Sequence, residues 1–137
     1  MIDLIEVKTA DLAGEAMGWA VGKAESLDLQ LVPPGYNGVP WRVFALYQGQ
    51  AIEHAKRYNP WEDWALGGPL VEKYKLDLGA PMEMKLGPWN ANTEWGHPSG
   101  QKGGTALVAA CRAVVASRLG DTVQVPKELI GKEAPDD

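Results

Sequence analysis

The hydrophobic pattern changes period along the chain, and each change predicts an element. Residues 2–7 read as a short strand, and Thr9 follows as a suitable helix N-cap. From Asp11, Leu12, Ala16, Trp19, Ala20 and Ala24 recur at helical spacing, which predicts a helix to about Leu27. Gly14, Gly18 and Gly22 share one face of it; each costs about 1 kcal/mol against Ala, so the stripe is expected to admit a closely packed sheet. Residues 27–32 alternate with period two and predict a half-buried strand, and residues 33–40 form a Pro/Gly-dense loop. Residues 41–47 predict a second strand with Trp41, Val43, Ala45 and Tyr47 on one face, and residues 51–58, which fit either type, are assigned to a third. A short helix over 70–74 starts from Pro69. Residues 76–78 and 82–86 alternate again, the latter as a strand, whereas 88–98 and the Gly-rich 99–104 read as loops. Thr105 caps a helix over 106–119 that is apolar almost all round and stops at Gly120, so it is expected to be the central buried helix. Residues 122–126 predict a last strand. The sum is an α+β fold: a small, mostly antiparallel sheet with the N-terminal and C-terminal helices packed on it. A single domain is expected over residues 1–126, with an acidic, flexible tail over 127–137. No internal repeat and no interdomain linker is evident in this reading.

One stretch breaks the pattern. Residues 58–69 place Asn59-Pro60 at one end and Gly67-Gly68-Pro69 at the other, both turn signals, with Trp61, Glu62, Asp63 and Trp64 between them. A single helical turn starting at Pro60 would put both indoles on one side and both acids in its first turn, where the helix dipole favours them. That arrangement points to the wall of a ligand pocket. The alternative is that the two Trp side chains pin a loop to the core.

Composition narrows the picture. The chain has 137 residues, one cysteine and a formal net charge of -5. It is long enough for one unstapled core, and the charge argues against sequence-independent binding of a nucleic-acid polymer. No apolar run is long enough for a transmembrane helix, and the acidic N-terminus lacks the basic region of a secretory signal, so a cytoplasmic, non-membrane protein is expected. Six Trp and four Tyr against one Phe favour rings with a polar tip, which suit pockets and interfaces.

Candidate chemistry is sparse. Neither His54 nor His97 sits with a second histidine at ligand spacing, so no metal is expected, and no nucleotide-fold fingerprint or nucleophile elbow implies a cofactor or catalytic residue. Cys111 lies mid-helix among apolar neighbours, where a thiol is inert filling. Glu62 and Asp63 are the one acid/base pair that keeps an enzymatic reading open; adjacent carboxylates at a helix start are more often solvated capping charges. Binding has more support. Asn59, Trp61 and Trp64 form one aromatic-amide loop, and Trp89, Asn90, Asn92 and Trp95 form another. Indoles stack on flat rings and amides read hydrogen-bonding edges. Gly103, Gly104 and Thr105 precede a helix N-terminus, a setting for an anion. Arg112, mid-helix, either snorkels to solvent or reaches that anion. These residues are the expected ligand-binding set, and the ligand is expected to be small, anionic and nucleotide-like.

Three stretches in order, residues 7–21, 59–72 and 104–126, resemble the NinX-like phage proteins, with Trp64-Ala65-Leu66-Gly67-Gly68-Pro69-Leu70-Val71-Glu72 the most specific segment. The resemblance implies a phage origin and action in the cytoplasm of an infected bacterium, and carries no established activity. Joined to the candidate site, it leads to an expected non-enzymatic accessory protein that sequesters a nucleotide-derived immune signal of the host, acting as a homo-oligomer. The alternatives are a protein-interaction module acting on a replication or recombination factor, and an enzyme that modifies a nucleotide.

Overall fold

The computed structural model describes residues 3–35, 39–48, 53–81, 87–93 and 100–130. The chain runs β1 (Leu4–Lys8), a 3-10 turn (Thr9–Asp11), α1 (Gly14–Ala24), β2 (Asp28–Val32), β3 (Arg42–Gln48), β4 (Glu53–Arg57), α2 (Trp64–Lys73), β5 (Asp77–Gly79), β6 (Trp89–Asn92), β7 (Gln101–Gly103), α3 (Ala106–Leu119) and β8 (Thr122–Pro126), then a 3-10 turn (Lys127–Leu129). Every described ladder is antiparallel. The strands form three small sheets, ordered β1-β8, β2-β3-β4 and β5-β6-β7, in place of the one sheet expected. The fold is α+β in a single domain, with helices packed on sheets.

α3 is the hub. It contacts both other helices and lies against β5, β6, β7 and β8. Its sequence accounts for both ends: the Thr105 hydroxyl accepts from Val108 N at 3.1 Å, and Gly120 takes φ 93° at the C-terminus. Leu107, Ala109, Ala110, Cys111, Ala113, Val114 and Val115 are buried along it. The main core joins Cys111, Val114 and Val115 to Met17, Val21, Val43 and Val125, and a smaller cluster puts Ala109 and Ala113 against Ala91 of β6.

Several boundaries depart from the sequence reading. Thr9 does not cap α1; its hydroxyl donates to Gly120 O at 2.6 Å and its N–H to Asp121 O at 2.8 Å, tying the first turn to the end of α3. Residues 58–69 are not a capped turn between hinges. Pro60, Trp61 and Glu62 form a turn, Asp63 is the N-cap, accepting from Ala65 N at 2.9 Å, and α2 runs straight through Gly67, Gly68 and Pro69. Packing overrides the turn signals there: a Cβ on Gly67 would collide with Pro60 O and meet Leu107 Cδ2 at 2.8 Å. The stripe of small residues on α1 admits close neighbours at two of its three positions, though only Gly22 meets the sheet expected, at Leu29 of β2. A Cβ on Gly18 would lie 2.6 Å from Tyr58 O, and one on Gly22 would lie 2.7 Å from Leu29, whereas Gly14 faces open space at φ 59°. The two stretches read as loops contain β6 and β7, whose Trp89 and Gly103 are cross-strand partners. Lys127–Leu129, expected to belong to a flexible tail, form a 3-10 turn with Leu129 buried; residues 82–86 and 131–137 lie outside the described residues.

The structure also shows an internal repeat that the sequence reading denied. At one constant spacing, β1 maps onto β4 (Leu4 to Glu53), α1 onto α2, and the start of β2 onto the start of β5 (Asp28 to Asp77). Ala16, Gly18, Leu27, Asp28 and Leu29 recur as Ala65, Gly67, Leu76, Asp77 and Leu78. Both helices end alike. Ser26 and Lys75 are left-handed at φ 59° and 54°, and Leu27 N and Leu76 N each donate, at 2.9 Å, to the carbonyls of Gly22 and Val71. That is the Schellman arrangement, made here without glycine. α3 leaves differently: Gly120 stands as far before β8 as Ser26 and Lys75 stand before β2 and β5, but its ψ is -163° and its own N–H donates to Ala116 O at 3.1 Å.

The close approach at Gly67 predicts an inverted response to a helix-favouring substitution. Gly67→Ala is expected to destabilise by about 1–3 kcal/mol through overpacking. Gly68→Ala, whose Cβ would meet only Trp64 at 3.6 Å, is expected to be neutral or stabilising by up to about 1 kcal/mol. Urea denaturation of both variants checks it, and equal responses would contradict the packing argument.

Candidate functional site

The turn before α2 and the first turn of α3 face each other across a cleft of about 250 Å³, lined by Trp61, Glu62, Trp64, Thr105, Ala106 and Leu107. Two buried residues, Tyr58 and Pro60, anchor the first wall, with Tyr58 N donating to Val43 O at 2.9 Å. Trp61 is half-buried and packs on the core, its six-membered ring edge against Gly18. Trp64, the first residue of α2, is 58% exposed. The second wall is the helix start, where Thr105 caps Val108 and the N–H groups of the first helical residues, Ala106 and Leu107, have no intrahelical acceptor.

The acidic pair has a definite place. Glu62 Oε2 accepts from Asn59 Nδ2 at 2.8 Å and from Arg57 Nη1 at 3.3 Å. Arg57 also pairs with Glu15, which accepts from Val43 N at 2.9 Å through its other oxygen. The guanidinium lies 5.9 Å from the Trp61 ring centroid. Glu62 is therefore tethered to β3 through Arg57 and Glu15, and Asp63 is occupied as the cap of α2. The sequence reading missed Arg57 and Glu15. A cation at the end of a strand, just before an aromatic-acid turn, was the available signal for Arg57; nothing local pointed to Glu15.

Of the residues expected to bind ligand, Trp61, Trp64 and Thr105 meet at the cleft, and Asn59 stands directly behind it on Glu62. The others lie elsewhere. Gly103 is buried in β7, where a Cβ would sit 2.5 Å from Ala109 N, so this glycine serves strand-on-helix contact. Gly104 is exposed and has nothing within 4 Å of its Cβ position. Trp89 packs on the small cluster under α3, while strand alternation turns Asn90 and Asn92 to the other face of β6 from buried Ala91. There Asn90 Oδ1 is buried with no hydrogen-bond partner among the described residues, close to Asn92 Oδ1 around Gly100. Trp95 lies outside the described residues. Arg112 neither snorkels freely nor lines the cleft: Nε and Nη2 donate to Leu12 O at 3.0 and 2.7 Å, and Nη1 donates to Lys102 O at 2.6 Å. It clamps the entry to α1 and the strand β7 onto α3, and burial lowers its pKa.

Cys111, Tyr74 and Tyr58, all outside the cleft, have raised pKa values. Burial pushes the Cys111 thiol up to about 12, in keeping with a packing role. Burial, followed by the hydrogen bond its hydroxyl donates to Glu25, pushes Tyr74 up to about 12. Tyr58 is raised as well, chiefly by burial.

Fold and cleft together define an α+β protein whose concave, aromatic-lined feature lies where two helices begin. Over residues 8–118 the chain matches the family model described as Bacteriophage P22, NinX, a range that includes every residue of the cleft. The chain belongs to that family and is a bacteriophage protein. No curated protein matches it. Among the described residues, no helix is long and apolar enough to cross a membrane.

The Arg112 clamp makes this side chain a determinant of stability. Arg112→Met leaves the carbonyls of Leu12 and Lys102 without their donor, and is expected to lower unfolding free energy by about 1–3 kcal/mol. A denaturation curve superimposable on the parent's would argue against the clamp. The raised thiol and phenols set an alkaline limit. The native state holds these protons to higher pH than the unfolded chain, so stability falls as pH rises through the window from about 9 to 12. Cys111→Ala is expected to delay the onset of that fall towards pH 10, as followed by urea midpoints across the range.

Proposed function

We propose that this phage protein binds a small nucleotide-derived ligand, holding a planar base between Trp61 and Trp64 and an anionic group at the start of α3. The observation that carries the reading is the cleft itself, which brings two indoles, a fixed carboxylate and a helix N-terminus around one space. Indole–base stacking contributes about 1–3 kcal/mol per base. The helix dipole and the open N–H groups of Ala106 and Leu107 favour negative charge on the opposite wall. With Glu62 and Asp63 both engaged in structural hydrogen bonds, the reading is of binding without turnover: sequestration of a host immune signal, carried out in the bacterial cytoplasm. A volume of about 250 Å³ suits one base, so a signal with two bases would be shared between two copies of the chain. The exposure of Trp64 favours a second reading, in which the indole anchors a protein partner.

A thermal-shift screen against cyclic dinucleotides and ADP-ribose derivatives, with the recovered compound checked by mass, tests the proposal. The expected result is a stabilising compound recovered intact, bound at one dinucleotide per two chains by calorimetry. Trp64→Ala is expected to abolish the shift while leaving the ligand-free melting temperature near the parent's, because that side chain is mostly in solvent. Trp61→Ala is expected to weaken folding too, since Trp61 supports the core. A compound recovered hydrolysed would establish an enzyme, and binding undiminished in Trp64→Ala would place the ligand elsewhere.

A further inference from the structure

Resting on the cleft reading above, we infer that Glu62 makes the site selective for a guanine base. It is the single charged side chain among the six residues that line the cleft. Asn59 and Arg57 both donate to its Oε2, so the carboxylate is oriented before any ligand arrives, and Oε1 is the acceptor left open among the described residues. The tether behind it runs back to β3. Arg57 is held by Glu15, which is 15% exposed and anchored on the backbone N–H of Val43 in β3. Arg57 also backs the Trp61 ring, so the same guanidinium positions the stacking surface and the acceptor beside it. A fixed acceptor next to a stacking face reads the edge of a base.

A carboxylate accepts and does not donate, which decides between bases. Guanine carries two adjacent donors, the ring N1–H and the 2-amino group, on one edge. Hypoxanthine keeps the first and lacks the second. Adenine sets its amino group beside a ring acceptor, and uracil sets its one N–H between two carbonyls, so each brings a lone pair towards the carboxylate. A cationic ligand, such as an arginine side chain, would suit the indoles and Glu62. It would oppose the positive end of α3 across the same cleft. A guanine nucleotide satisfies both walls, with its donor edge at Glu62 and its phosphate towards Ala106 and Leu107.

Calorimetric titration of the full chain with the 5′-monophosphates of guanosine, inosine, adenosine and uridine tests this. Guanosine monophosphate is expected to bind at least about tenfold more tightly than the adenosine and uridine compounds, with inosine monophosphate between them. Glu62→Gln, which can donate as well as accept, is expected to lose that preference while its melting temperature stays near the parent's. Equal affinity for the guanosine and adenosine compounds, or a guanine preference that survives in Glu62→Gln, overturns the inference and leaves the cleft as a general base site. Absence of binding by all four overturns the cleft reading along with it.

Discussion

The structure depends on two helices coming within contact of one backbone segment. The carbonyls of Tyr58 and Pro60 occupy the places where side chains on Gly18 of α1 and Gly67 of α2 would begin. Any larger residue at either site would push the segment outward. With hydrogen there, Tyr58 and Pro60 are buried, Trp61 packs on α1, and α2 comes close enough for Gly67 to touch Leu107 of α3. The cleft is the space left at the end of that contact. A glycine within a helix lowers helix stability, so its presence at both positions marks where helix propensity gives way to tertiary packing.

The parts of the fold legible in the sequence were those written in one strong local signal. The cap Thr105, the apolar length of α3 and Gly120 defined that helix to the residue, and the alternation in β2 and β3 gave both strands. Where a local turn signal conflicts with tertiary packing, packing decides. Gly67-Gly68-Pro69 has the composition of a turn, yet it lies inside α2, because the neighbouring chain fills the space that a side chain would need. β6 and β7 are short and carry Asn and Gly, so their strand character comes from pairing and from the floor provided by α3. The repeat stood in plain view as Leu27-Asp28-Leu29 and Leu76-Asp77-Leu78. Its remaining identities are scattered, and its left-handed positions are filled by Ser26 in one copy and Lys75 in the other. It is the geometry of the exit that recurs, and one geometry tolerates many sequences.

The site was legible as a cluster of residue types and not as an arrangement. Aromatic and acidic residues crowded between turn signals did mark the cleft wall, and Thr105 did meet it. The second aromatic-amide segment was grouped with the first because the two look alike in composition, but strand alternation sends its amides away from α3 and its first indole under the helix. Arg112 was suggestive because a cation in an apolar helix needs a partner. The partners are the carbonyls of Leu12 and Lys102, far away and close by in sequence, and no pattern of side chains announces a carbonyl.

The repeat also explains why the cleft is where it is. The constant spacing that carries Gly18 onto Gly67 carries Leu12 onto Trp61 and Glu15 onto Trp64. In the first copy that corner is closed: Leu12 is fully buried and Glu15, 15% exposed, is spent on Arg57 and Val43. In the second copy the same two positions hold indoles, one half-buried and one mostly in solvent, facing the start of the next helix. The leucine of the first copy lies wholly in the core, whereas Trp64 of the second is 58% exposed. The first copy thus serves as an internal control for the second, and the departure between them falls on the residues that form the wall of the cleft.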